Sequence, residues 1–352
     1  MHKRIFGLIL TLAVVFSSVA FGECVHEGKL SGAEILWQVA QGEEIFIARG
    51  QGLFKNAQEL GQELFTSQEH IYDVQYGTEA ESYEKGGVQD YNARYVAYYT
   101  YQKMLDFIAS KKEFFKSKGH KIEIIGKSLQ GRNLYAITPE RPVAGKKSIV
   151  MFGRHHGDEG TANYIIEGFV NLLAQHDDFF EHFQLFLYPM VNPDGAEAMT
   201  RYNSKGRDLN RVWGKTPAQA LDEVKTIQTH LYRYLNGQYP ITIALDMHGS
   251  FTQDFIYRVN RNFKGADFFQ LQSAFIEHLG RLDQWQNGNI ELSDGDPGMS
   301  RITLIRDFSI NALTHESIRN IPKNQGRDIK ELQSQGVALL TSILDLYKAP
   351  AL

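Results

Sequence analysis

Several absences narrow the field. The 352 residues contain one cysteine, Cys24, so no intramolecular disulfide can form and the fold must rest on its core, with a bound metal as an added support. Positive charge is not in excess. With 37 Lys and Arg against 41 Asp and Glu, the chain offers no broad basic surface for a phosphate backbone, which argues against a nucleic-acid partner. Repeats, charge blocks and low-complexity segments are missing, and after residue 22 no apolar run is long enough to cross a bilayer. What remains is an ordinary globular composition, 43% hydrophobic and 22% charged, at a length that suits one large α/β domain plus a modest extra module.

The first 22 residues read as a signal peptide. Met1-His2-Lys3-Arg4 is a basic start, Ile5 to Phe16 an apolar run, and Ser17 to Gly22 a small-residue stretch suited to cleavage after Ala20 or Gly22. An apolar run of roughly 12 residues falls short of the ~20 needed to span a membrane. Glu23 is too large and charged for a lipidation box at Cys24. The expectation is a periplasmic or secreted protein with no membrane association after cleavage.

Residues 23–91 are expected to form a small N-terminal module. It reads as β-α-β, with strands at Ile45 to Ala48 and Ile71 to Val74 around a helix from Ala57 to Phe65, followed by a polar linker at Ser82 to Asn92. Residues 92–352 form the larger domain. Strands are expected at Lys121 to Ile125, Leu134 to Thr138, Ser148 to Phe152, Phe183 to Met190, Ile241 to Asp246 and Ile310 to Glu316. Helices are expected at Tyr99 to Lys116, Thr161 to Ala174, Pro217 to Leu235 (capped by Thr216), Ala266 to Leu279 and Gly326 to Tyr347. Such alternation predicts an α/β fold with a mixed, mostly parallel sheet, helices on both faces, and a site beyond the strand ends.

Potential metal ligands cluster at those ends. In Ser148-Ile-Val-Met-Phe-Gly-Arg-His-His-Gly-Asp-Glu-Gly160, a buried strand runs into a turn where His156 and Glu159 stand three apart. Zn²⁺ takes such ligands at about 2.0–2.2 Å. His155 is the rival ligand, four before Glu159, although strand alternation sends neighbouring side chains opposite ways. A third ligand, His248, closes the apolar run Ile241-Thr-Ile-Ala-Leu-Asp-Met-His248. Two histidines and a glutamate with a fourth position open are the ligand set of a catalytic zinc centre, one ion per chain. Asp246, two before His248, is an acceptor for a ligand imidazole or a plain strand-end cap. Glu316, ending Ile310-Asn-Ala-Leu-Thr-His-Glu316, is the candidate general base, and its ordinary alternative is an ion pair. His176, His182, His230 and His278 lie in helical or linking segments and are expected at the surface.

These blocks together resemble the zinc carboxypeptidases related to carboxypeptidase A, over roughly residues 95–346. Ile124 to Tyr135 looks like the family's early strand-turn-strand, His156-Gly-Asp-Glu159 its first zinc motif, Asn192-Pro-Asp-Gly195 the loop after the next strand, and Gly206-Arg-Asp-Leu-Asn-Arg211 its substrate-carboxylate motif. The resemblance implies that Arg201 stabilises the developing oxyanion, while Asn210 and Arg211 grip the terminal carboxylate of a peptide. Arginine suits both tasks because its planar fork matches a carboxylate and its fixed charge favours the transition state.

Two features depart from that pattern. No tyrosine occurs between Tyr257 and Tyr347, so the family's substrate-closing tyrosine before the base is missing. Ser300-Arg-Ile-Thr-Leu-Ile-Arg-Asp307 resembles instead the cytosolic-type, glutamate-trimming branch, which makes Arg301 a candidate for recognising an acidic side chain, against the ordinary reading of a solvent-exposed strand arginine. The N-terminal module is similar to propeptide or accessory modules of some relatives. The expected substrate is a peptide with a free C-terminal carboxylate. Three alternatives stay open: a cell-wall peptide amidase or carboxypeptidase, a deacylase of N-acyl amino acids, and a peptide-binding protein without turnover.

Overall fold

A computed structural model describes residues 99–348 except 177, 199, 251–252, 319–326 and 328, together with three short strands nearer the N-terminus. The expected signal peptide and the helix from Ala57 to Phe65 lie outside the described residues. Strand β1 (Glu43–Ile47) pairs antiparallel with both β2 (Leu53–Phe54) and β3 (Gln75–Gly77). The third strand thus lies beyond the Ile71 to Val74 window, which falls outside the described residues, and the ladder is antiparallel.

The larger unit is built on eight strands: β4 (His120–Lys127), β5 (Asn133–Pro139), β6 (Lys147–Gly153), β7 (Phe183–Tyr188), β8 (Ile241–Ser250), β9 (Phe255–Arg258), β10 (Ile290–Leu292) and β11 (Ala312–Ile318). Their spatial order is β10-β9-β11-β8-β6-β7-β5-β4. The central four, β11, β8, β6 and β7, run parallel, while β5 joins β7, and β9 joins β11, in antiparallel fashion. The mixed, mostly parallel sheet expected from the alternation is therefore present.

Every residue from Ser148 to Gly153 is buried, as a strand covered on both faces requires. Ile149 and Met151 join one apolar cluster with helices Thr161–Leu173, Ala266–Leu282 and Ile329–Tyr347. Val150 and Phe152 point the other way, into a second cluster under helices Asp222–Leu231 and Ser300–Phe308. Burying such a side chain contributes about 1.5–3 kcal/mol, so this strand alone helps to fix both layers. Between β6 and β8 the strand order reverses: from β6 the chain proceeds to β7 on one side and then to β8 on the other. Parallel sheets of this kind open a crevice at that point, beyond the strand ends.

Three expectations need correction. The helix of residues 217–235 begins at Asp222, because Gln228 reaches out of its first turns to bond the Gly214 N–H and carbonyl and folds residues 214–221 into a loop. Residues Ser300–Phe308 are a helix rather than a strand, and Arg301 on it is buried, 2% exposed. His230 is buried as well, on the inner face of Asp222–Leu231, with its ring between the Tyr188 hydroxyl at 2.9 Å and Glu123 at 3.0 Å. His182 is exposed, and His176 and His278 are half-buried.

Candidate metal centre

The turn after β6 begins with Arg154 in the left-handed region, φ 60°, a conformation that costs a non-glycine residue and ends the alternation of the strand. Its buried guanidinium reaches forward to the Gly157 carbonyl oxygen and to Asn163 Oδ1 and holds the turn closed. A Cβ at position 157 would sit 2.1 Å from the Gly195 carbonyl carbon, so glycine is required where this turn crosses the Asn192-Pro-Asp-Gly195 loop. Asn192 braces the same crossing, its amide donating to the His155 and Arg201 carbonyls.

His156 and Glu159, in the turn after β6, meet His248 near the C-terminal end of β8, all three buried. His156 Nδ1 lies 2.8 Å from Glu159 Oε1, His248 Nδ1 lies 2.8 Å from Glu159 Oε2, and the two ring nitrogens are 3.1 Å apart. The outer ring nitrogens are engaged too: His156 Nε2 with Asp208 at 3.2 Å, and His248 Nε2 with Asp246 at 3.0 Å. Carboxylates on the outer nitrogens orient imidazoles so that the inner lone pairs face a metal.

The donor set fits a divalent cation. Three carboxylates, Glu159, Asp208 and Asp246, converge on the two imidazoles, with Arg201 paired to Asp208. Imidazole protons or a doubly charged ion would offset that negative charge. With protons, each ring would donate to its own Glu159 oxygen at 2.8 Å, the two nitrogens lying 3.1 Å apart; with an ion, the same inward-facing atoms would serve as ligands. Two imidazole nitrogens and a carboxylate match zinc. The surroundings concentrate negative charge. Burial alone would raise the Glu159 carboxyl, yet His156 and His248 hold it well below the usual carboxylate range. Burial would lower His248, but Asp246 and Glu159 keep it well above an ordinary imidazole.

Glu316 stands on β11 directly beside His248 in register and therefore projects to the same face of the sheet. Arg201 lies across the centre. Its Nη1 is 3.2 Å from His156 Nδ1 and 3.8 Å from Glu159, and Asp208 anchors it through Nε and Nη2 at 3.1 and 2.9 Å. Asn210 is buried with its amide committed: Nδ2 donates to Asp246 Oδ2 at 3.4 Å, and Oδ1 accepts the Ser300 N–H at 2.9 Å. Arg211, by contrast, is exposed, its Nη1 donating to the Asn210 carbonyl. Arg301 donates to the Ser293 carbonyl at 3.0 Å, while its Nε has no hydrogen-bond partner among the described residues. Burial pulls its guanidinium down to about 10.

Some participants were not read from the sequence. Asp208 lies inside the Gly206 to Arg211 motif, two before Asn210, and could have been found there. Tyr257 could not, because the four-residue strand β9 gives almost no pattern. It shares its face with Glu316 through β11, its ring lies 5.7 Å from the Arg301 guanidinium, and burial with the charges of Glu316 and Glu291 pushes its phenol up to about 12. His155 points away from the triad, toward Asp246 and Trp213.

Comparison with known proteins agrees with this geometry. Residues 104–249 match the zinc carboxypeptidase family, peptidase family M14. The resemblance read from the motifs is thereby borne out, and the matched segment contains His156, Glu159 and His248. Cytosolic carboxypeptidase 2 of Mus musculus is 24% identical over 70% of this chain and 31% of its own length. Metallocarboxypeptidase A of Trichophyton tonsurans is 26% identical over 38% of this chain and 37% of its own. The chain thus spans about a third of the length of these relatives. Among solved structures, a metallo-carboxypeptidase from Burkholderia cenocepacia shares the fold at a TM-score of 0.61 and 20% identity, covering 70% of this chain and 69% of that one. One from Pseudomonas aeruginosa, in complex with (2-guanidinoethylmercapto)succinic acid, does so at 0.61 and 18%, covering 90% and 83%.

Proposed function

We propose that this chain is an exported zinc carboxypeptidase that removes a C-terminal amino acid from peptides, with a preference for an acidic residue. The convergence of His156, Glu159 and His248, with Glu316 in register beside His248, is the observation that carries the reading. When bound, one zinc ion per chain would be held by those three side chains and would supply Lewis acidity for attack on an amide carbonyl. Glu316 takes the proton of the attacking water and returns it to the leaving amine. Arg201, fixed by Asp208, stabilises negative charge as it develops on the carbonyl oxygen, a charge the ground state lacks. The exposed Arg211 receives the terminal carboxylate. Asn210, with its amide committed, supports that position from below.

Arg301 supports the acidic preference. A buried guanidinium with, among the described residues, an unmet Nε donor and no carboxylate bonded to it favours an anionic side chain from outside. The basic-apolar-small start of residues 1–22 supports export, and residues 23–91 are read as a propeptide-like or accessory module. Among the described residues no helix is long and apolar enough to cross a membrane.

The test is amino-acid release from peptides ending in Glu, Leu or Lys, alongside purified cell-wall peptides, with zinc-loaded and chelated protein. Zinc-dependent release, fastest from the Glu peptide, is expected. Release from wall peptides alone would replace this reading with a murein peptidase, and binding without release would replace it with a peptide-binding protein.

A further inference from the structure

His155 adjoins the ligand His156 yet takes no part in the triad, and its surroundings assign it a different task. The ring is fully buried, with Nε2 3.0 Å from the Trp213 indole nitrogen and Nδ1 2.7 Å from Asp246 Oδ1. An indole N–H can only donate, so Nε2 must be the unprotonated nitrogen and the ring proton sits on Nδ1, donated to Asp246. The other Asp246 oxygen faces His248 Nε2 at 3.0 Å and accepts from the Ser300 hydroxyl at 2.5 Å. With its outer nitrogen donating there, His248 is left with Nδ1 turned to Glu159 and His156. Trp213 is itself fixed, its backbone N–H on the Gly298 carbonyl and its ring edge-on to Phe152.

We propose that Trp213 and His155 form a hydrogen-bond chain that sets the orientation of Asp246 and, through it, of His248, which makes His155 a positioning residue of the metal centre. This rests on the metal reading above. A rival exists on the same atoms: ligand atoms of His155, Asp246 and His248 lie within 4.8 Å of one another and could in principle hold a second cation. The chain opposes it, because the indole occupies one His155 nitrogen and the proton for Asp246 occupies the other.

The experiment measures zinc stoichiometry by elemental analysis and zinc affinity by competition with a chromophoric chelator. It compares the intact chain with His155→Phe, His155→Gln and Trp213→Phe, and each metal-free protein is melted in parallel. The intact chain should bind one zinc. His155→Phe should bind it about 10- to 100-fold more weakly, the loss typical of partners behind a metal ligand. His155→Gln, which can still accept from Trp213 and donate to Asp246, should recover most of that affinity, a rescue that simple packing would not give. Trp213→Phe should lower affinity by about 10-fold at most, and it reads the chain if His155→Phe does not fold. The ¹⁵N ring signals of His155, assigned by difference with His155→Gln, should be those of the Nδ1–H tautomer. Undiminished affinity in both phenylalanine variants, an Nε2–H tautomer, or two zinc ions of which one disappears with His155 would each overturn the proposal. No zinc in the intact chain would instead remove the metal centre itself.

Discussion

Two clusters of buried charge flank strand β11, and they are built on opposite principles. Behind the strand, Arg327 donates to both oxygens of Asp283 at 2.7 and 2.6 Å and to Asp254 at 3.0 Å. Gln335 donates to both carboxylates at 2.9 Å, and the Ile318 N–H reaches Asp254 at 3.0 Å. Donors and acceptors close on one another there. In front, His156, Glu159 and His248 turn their acceptor atoms inward around a common point. Burial of charge is thus shared by both clusters, and the inward-facing acceptors are what single out the second as chemistry.

Substitutions should separate the two. The largest effect is expected in front: Glu316→Gln should keep one zinc and its melting temperature while lowering turnover by about 10²- to 10⁴-fold, the range for loss of a positioned general base. Near-full turnover would remove Glu316 from that role. Behind the strand, Arg327→Met should leave two carboxylates without their cation and cost about 3–5 kcal/mol in urea unfolding, with turnover per folded molecule little changed. A stable but inactive Arg327→Met would erase the distinction between the clusters.

A smaller and more selective effect is expected at Arg301. Its change to Met should reduce kcat/KM for a Glu-ending peptide by roughly 10- to 100-fold, the value of a charge-assisted hydrogen bond, and leave a Leu-ending peptide alone. Equal losses on both peptides would show a structural role.

The smallest effect concerns acid stability. Burial holds His315 down to about 3 and His120 down to about 4, each from an ordinary 6.5. Below about pH 6.5 the unfolded chain binds a proton that the native imidazole refuses, so stability is full above that pH and falls as pH drops toward 4 and then 3. Each ring steepens the loss by at most about 1.4 kcal/mol per pH unit. His315→Gln should flatten the curve between pH 6.5 and 4, measured by urea melts. An unchanged slope would mean that other groups govern it.

The centre of the fold was legible because β6, β8 and β11 are short apolar runs with His or Glu just after them or near their ends, a combination that strand burial and metal chemistry explain together. Its edges were not. Strands β9 and β10 have four and three residues, too few for a period, so Tyr257 had no visible place. Thr216-Pro217 carries a proper helix start, but the Gln228 side chain overrides it from inside the following helix. Arg301 was assigned a role by motif and a strand by pattern. Only three-dimensional packing shows it entering the interior on a helix. Trp213 left no local trace, since its partner His155 is 58 residues away.

His156 and His248, the proposed ligands, come from either side of the point where the strand order reverses, 92 residues apart along the chain. An unfolded polypeptide does not hold them together, so on the proposed reading an ion would bind the finished sheet alone. Free zinc at a hundred times its dissociation constant would then add about 2.7 kcal/mol to stability by mass action. In a zinc-poor compartment the same molecule would be both idle and softer, and its lifetime there would follow the supply of metal.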